Sequence, residues 1–367
     1  MRGIIMRGND GIDTLDVVDD IKFASTDLAP RQVRIDIRGA GVCGSDLSCT
    51  TGKYYMPVPL VPGHEAAGVV AEIGSAVSGC AVGDHVVLST LGNCGLCAQC
   101  ESGQPTLCSS FGRAMSQPFL QNGEPLYQFA KVSAFVEQTI VHESQAVPIP
   151  TDVPFEVAAL IGCGVITGAG AVFNRAKVGF GDTIAVIGAG GVGLNVIQAA
   201  ALSGARQIIA IDQAAEKEPL AAAFGATDFI HVDGDDFDSV AAVKEVAAGD
   251  RGGVDHTFEV VGHPALIPQA IAMTRPGGNI VAVGTPDLSA EVTYSPLALF
   301  QNKNLLGIRY GGARPRADFP MLADMYLRGR YKLDELVSHT AGFDGIGAAF
   351  ESIATGREAR TVLIPSQ

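Results

Sequence analysis

A chain of 367 residues, 47% apolar and 17% charged, is long enough to bury a substantial core and to form about two domains. Its formal net charge of −14 excludes the broad basic face that a nucleic-acid partner requires. Residues 1–7 lack the apolar run and small-residue cleavage site of a secretion signal, and the apolar stretch 157–172 is read as too short for a membrane span of about 20 residues, so a cytoplasmic protein with no membrane partner is expected.

In chain order, the first 150 residues read as strands. Val33, Ile35 and Ile37 alternate with charged residues, the period of a half-buried strand. Residues 67–73, 85–88 and 135–141 are short β-prone runs, punctuated by Pro62-Gly63 and Gly83-Asp84. Segment 109–133 carries no evident regular structure and reads as a long loop of the kind used for substrate lids. Near Thr167 the pattern changes. Candidate strands at 183–187, 207–211, 228–232, 254–260, 279–283 and 304–308 alternate with helical runs such as 192–203, which implies parallel βαβ units in a doubly wound sheet. After Arg309 the alternation stops. A helix near 319–327 and an apolar strand at 361–364 are expected to return to the first lobe. The expected domains are 1–164 with 310–367, and 165–309.

Gly188-Ala189-Gly190-Gly191-Val192-Gly193 fits G-x-G-x-x-G and lies between an apolar strand and a helical run. In that context Gly188 permits the tight turn, Gly190 the approach of a pyrophosphate and Gly193 close helix packing, while the helix N-terminus offers N–H groups to the anion. Asp212 ends the next strand, at the distance where a carboxylate binds the adenosine ribose and repels a 2′-phosphate, which favours NAD over NADP. Lys217 and Thr167 complete the expected cofactor-binding set with Gly191 and Val192.

Eight cysteines in such a chain suggest metal sites before disulfides. Cys94-x-x-Cys97-x-x-Cys100-x7-Cys108 offers four thiolates for tetrahedral zinc with no open position, a structural site. A ferredoxin-type cluster would place its fourth cysteine after three residues and follow it with proline; here the gap is seven and Ser109 follows. Elsewhere, Cys43, His64 and Cys163 provide two thiolates and an imidazole, a three-ligand zinc site with room for water or substrate.

The order of these motifs, namely Gly-His-Glu-x-x-Gly at 63–68, the four-cysteine lobe, Gly162-Cys163-Gly164 and the glycine turn, resembles the zinc-containing medium-chain alcohol dehydrogenases over almost the whole chain. The resemblance implies a GroES-like β-rich catalytic domain plus a Rossmann domain, two zinc ions per chain and reversible NAD-linked oxidation of an alcohol to an aldehyde or ketone. It implies that Cys43, His64 and Cys163 hold the catalytic zinc, that Asp46 orients the histidine, that Glu65 sits behind the metal, and that Ser45 takes the alcohol proton. Ser48 stands where many members end the proton relay with histidine, and Gly44 where many carry a base against the pyrophosphate. Arg360 matches a second pyrophosphate-binding arginine, with Arg309 as a further helper. Thr90 replaces a bulky aromatic wall of some relatives, which suggests a roomy pocket for primary alcohols, allylic and aromatic ones included. The long loop resembles that of the dimeric branch, and a homodimer is expected. Thiol-dependent formaldehyde dehydrogenases share the architecture, with Arg113 placed where a thiol cofactor's carboxylate would dock. A non-catalytic NAD-binding protein or a zinc-free quinone reductase would ordinarily lack the metal ligands present here.

Overall fold

The alternation at Val33, Ile35 and Ile37 becomes the strand Gln32–Gly41, with all three side chains buried. In the computed structural model, which describes residues 1–112, 115–247, 249, 252–356 and 359–366, this strand is central to a sheet in the order Ala146–Pro148, His85–Leu88, Glu65–Ile73, Gln32–Gly41, Arg360–Leu363, Val337–Ala341, with Gln138–His142 also paired to it. The core beneath contains Val33, Ile35, Val70, Val86, Phe135 and Phe350. A smaller sheet joins Gly3–Met6 to Leu15–Val18, Leu60–Val61 and a hairpin.

That hairpin corrects the reading of 109–133 as a loop without regular structure. Phe119–Gln121 pairs antiparallel with Glu124–Gln128. Asn122 and Gly123 connect them with φ of 52° and 87°, the left-handed pair that a tight two-residue turn demands, and Phe119 and Leu126 are buried. Arg113 lies outside the described residues. A second difference concerns Phe135, which precedes the strand Gln138–His142; its carbonyl accepts from Ile4 instead.

The chain forms two units by contact, Met1–Cys163 with Arg314–Gln367, and Gly164–Ala313. In the second unit, β1 (Thr183–Ile187), β2 (Gln207–Asp212), β3 (Asp228–His231), β4 (Val254–Glu259), β5 (Thr274–Ala282) and β6 (Asn304–Gly307) form one parallel sheet in the order β3-β2-β1-β4-β5-β6. β1 is apolar along its centre and buried throughout, as a sheet covered on both faces requires. The strand order reverses between β1 and β4, and the crevice at their carboxyl ends is where such sheets bind ligands.

The apolar stretch 157–172 is part of a longer helix than its sequence suggests. The helical run Phe155–Ala176 has 22 residues and is long and apolar enough to cross a membrane. Most of its apolar surface is buried within the protein, as in an interior helix.

Candidate metal sites and cofactor turn

In the four-cysteine lobe the Sγ atoms of Cys97 and Cys100 are 3.5 Å apart, those of Cys97 and Cys108 3.8 Å, and those of Cys94 and Cys108 3.6 Å. Thiolates about 2.3 Å from a tetrahedral zinc lie about 3.8 Å from one another, so the spacing fits a closed zinc site. The amides of Leu96 and Cys97 donate to Cys94 Sγ at 3.4 and 3.3 Å. Amides of Cys100 and Ser109 pull the Cys97 thiol down to about 5. These amides favour the thiolates of Cys94 and Cys97, whereas burial pushes the Cys100 thiol up to about 12, and all eight cysteines are free thiols.

In the second cluster Cys43, His64 and Glu65 are buried and Cys163 is partly buried. Cys43, His64, Glu65 and Cys163 each present a ligand atom within 4.8 Å of the others. Cys43 precedes the short helix Gly44–Thr50, and its N–H donates to Asp46 Oδ2 at 3.0 Å. Asp46 Oδ1 meets His64 Nδ1 at 2.9 Å, with Asp46 fully buried. This leaves Nε2 of His64 as the ligating nitrogen. Cys163 lies on a π-helical turn, Ile161–Val165, an irregularity frequent at functional sites. Gly41 makes room for Glu65: a Cβ at Gly41 would come 2.3 Å from Glu65 Oε2. Two thiolates and an imidazole suit zinc.

Arg360 opens the strand Arg360–Leu363 and is buried. Its Nη2 lies 3.8 Å from Glu65 Oε1 and 3.9 Å from Cys43 Sγ, which rules out an ordinary surface arginine. Burial pushes Glu65 up to about 8 despite the pull of Arg360. A hydrogen bond from Cys163, with the charges of Arg360 and His64, holds the Cys43 thiol well below its usual range. Ser45 and Ser48 lie on the helix Gly44–Thr50, both partly exposed, and Thr90 is half-buried.

One neighbour of the cluster is not evident in the sequence. The Phe129 ring stands edge-on to His64, with centroids 5.6 Å apart and planes at 86°. It is carried by a turn in which Ala130, Lys131 and Ser133 all take left-handed φ, 50°, 56° and 52°. Such non-glycine conformations cost about 1–3 kcal/mol each and need support. Ser133 supplies some of it: its Oγ donates to Val61 O at 2.6 Å and accepts from Phe129 N at 3.0 Å.

In the second unit, Gly188 follows β1 with φ 102°. A Cβ on Gly193 would lie 1.8 Å from Gly188 O, whereas one on Gly190 would meet nothing within 4 Å. The turn therefore closes tightly on one side and stays open at Gly190, where a phosphate can approach the helix Gly191–Leu202. Val192 lies in the first turn of that helix. Asp212 ends β2, and its Oδ2 accepts from Ala189 N at 2.7 Å. Lys217 Nζ lies 3.0 Å from both Asp212 oxygens. Thr167 is on the helix Ile166–Gly170, which packs on the helix after the turn so closely that a Cβ on Gly168 would come 2.5 Å from Val192 O.

Comparison with known proteins agrees with this architecture. Residues 29–151 match the alcohol dehydrogenase GroES-like domain family, and residues 191–328 the zinc-binding dehydrogenase family. The chain is 35% identical to an S-(hydroxymethyl)glutathione dehydrogenase of Escherichia coli O1:K1 / APEC over 357 residues, covering 94% of this chain and 96% of that protein. Among solved structures it is similar to benzyl alcohol dehydrogenase from Acinetobacter calcoaceticus, with TM-score 0.88, 32% identity and coverage of 99% of this chain and 98% of that one. It is likewise similar to an alcohol dehydrogenase zinc-binding domain protein from Burkholderia ambifaria, with TM-score 0.90, 32% identity and the same coverage.

Proposed function

Within the zinc-containing medium-chain alcohol dehydrogenase family, to which this chain belongs, we propose that the protein moves a hydride between a primary alcohol, allylic and aromatic ones included, and NAD, giving the aldehyde. The observation that carries the reading is the convergence of Cys43, His64 and Cys163, with Asp46 fixed on the far nitrogen of the histidine. When bound, zinc supplies Lewis-acid activation of the alcohol oxygen and the nicotinamide accepts the hydride.

The chain's own residues prepare that chemistry. Asp46 selects the His64 tautomer whose Nε2 lone pair is free. Arg360 favours the thiolate of Cys43 and holds Glu65 beside the cluster, where the carboxyl assists ligand exchange. Ser45 receives the hydroxyl proton, and with Ser48 in place of a histidine the proton leaves through water or the cofactor ribose. Gly188, Gly190, Gly191, Val192 and Gly193 receive the pyrophosphate, with Arg360 and Arg309 as helpers; Thr167 and Lys217 are further cofactor-binding residues, Lys217 beside Asp212. The Asp212 carboxylate, at the end of β2, supports NAD over NADP. The four-cysteine lobe takes a second, structural zinc. We also propose a homodimer: β6 is a sheet edge, and Leu297 and Phe300 just before it are largely exposed. Eight free thiols suit a reducing, cytoplasmic compartment.

A second reading is oxidation of a hydroxymethyl thioether, favoured by the S-(hydroxymethyl)glutathione dehydrogenase at 35% identity. That substrate is also a primary carbinol, so the same metal cluster serves it. Rates of NADH formation with benzyl, cinnamyl and short primary alcohols, and with formaldehyde plus and minus glutathione or another low-molecular-weight thiol, separate the two. Turnover of free alcohols without thiol supports the first; formaldehyde turnover only with added thiol, and none with free alcohols, replaces it with the second.

A further inference from the structure

We propose that Glu259 is a positioning residue for the cofactor turn, acting from the strand opposite Asp212; the inference rests on the cofactor reading above. Glu259 ends β4 and pairs with Ile187, the residue before Gly188. It therefore stands at the point where the strand order reverses. It is 1% exposed, and a buried carboxylate needs donors to offset the loss of water.

The donors come from the loop that follows. Glu259 Oε1 accepts from Val261 N at 2.9 Å and from Gly262 N at 2.7 Å. Successive amides turned onto one carboxylate fix a loop as a nest does. Gly262 takes φ 84°, and a Cβ there would meet Thr285 O at 2.6 Å, so the loop is pinned on its far side by the segment after β5.

So fixed, the loop walls the glycine turn. A Cβ built on Gly188 would lie 2.9 Å from Val261 Cγ2 and 3.1 Å from Val260 Cγ2, and one on Gly193 3.3 Å from Val260 Cγ2. The turn is thus held from two neighbouring strands. Asp212 of β2 takes the Ala189 N–H directly, and Glu259 of β4 presses Val260 and Val261 against Gly188 and Gly193. Glu259 acts through the loop, with the backbone N–H groups of Val261, Gly262 and His263 as its grip; Val261 is 55% exposed beside the turn, so releasing the loop releases that wall.

The test compares Glu259→Ala with Glu259→Gln in the zinc-loaded protein, reading amide hydrogen exchange over residues 188–193 and 260–263 without cofactor, and NADH affinity by fluorescence. The alanine variant is expected to speed exchange in both segments and to raise the NADH Kd about tenfold or more, with kcat at saturating cofactor changed less than KM. Glutamine keeps an oxygen for both amides and is expected to stay within about threefold of the original affinity. If alanine prevents folding, Glu259→Asp, one methylene short of the loop, replaces it with the same expectation. Unchanged exchange in 188–193 together with unchanged NADH affinity overturns the assignment, as does a glutamine variant as impaired as alanine. If the unaltered protein fails to bind NADH while exchange in 188–193 still responds to Glu259, the cofactor reading falls and the positioning role stands.

Discussion

Asp46→Asn is a sharper probe of the buried cluster than its small change in shape suggests. Asp46 accepts from Cys43 N at 3.0 Å through one oxygen and from His64 Nδ1 at 2.9 Å through the other. Asparagine has one acceptor and one donor. With its oxygen on Cys43, its NH2 faces Nδ1 and forces the His64 proton onto Nε2, the nitrogen needed for the metal. With its oxygen on Nδ1, two N–H donors face each other at Cys43 in a fully buried site. Either arrangement loses one charge-assisted hydrogen bond, about 1.5–3 kcal/mol, matching the 10–100-fold typical of lost outer partners of metal ligands. The assay is competition for zinc with a chromophoric chelator. One zinc per chain is expected to be released at about 10–100-fold lower chelator, with loss of alcohol oxidation, while the zinc of the four-cysteine lobe stays. Asp46→Asn protein that keeps both zinc ions at the original affinity would refute the tautomer argument.

Four further outcomes follow from the same geometry. Cys97→Ser is expected to lose the lobe's zinc and lower the melting temperature, because four-thiolate zinc carries folding free energy; an unchanged melt with one zinc missing would contradict this. Protons compete for the same thiolates, so the amides that hold the Cys97 thiol down to about 5 should let the lobe keep its zinc into mildly acidic solution, and zinc lost already near neutral pH would count against the Cys97 thiolate. Gly193→Ala places a Cβ 1.8 Å from Gly188 O and should weaken NADH binding at least about tenfold, whereas ordinary binding would mean the turn shifts freely. Asp212→Ala removes the carboxylate that engages Ala189 and frees Lys217; the ratio of NAD to NADP efficiency should drop, and an unaltered ratio would remove Asp212 from cofactor selection.

The sequence is most legible where a few neighbouring residues must do one geometric job. The glycine turn is readable because Gly188 and Gly193 cannot carry a Cβ, and the four-cysteine lobe because its sulfurs lie within one short segment. Cys43, His64 and Cys163 stand far apart in the chain and draw attention only through their types and flanking glycines. The surroundings of that cluster are less legible because they are long-range: 317 residues separate Cys43 from Arg360. Nothing local marks Phe129 either, which reaches His64 through a strained turn supported by Val61 and Ser133. The hairpin at 119–128 is a different case. Asn122-Gly123 is a strong turn signal, obscured by the shortness of Phe119–Gln121 and by the proline in Glu124–Gln128. The apolar run 155–176 shows that length alone does not separate an interior helix from a membrane span; burial does.

Metal dependence is read by removing and restoring the metal at Cys43, His64 and Cys163 while following alcohol-dependent NADH formation. About two zinc ions per chain are expected in the intact protein, with loss of activity when the one bound by Cys43, His64 and Cys163 is removed and its return on adding zinc. Activity that persists at full rate with that site emptied, or protein prepared without chelators that contains no zinc, would contradict this expectation.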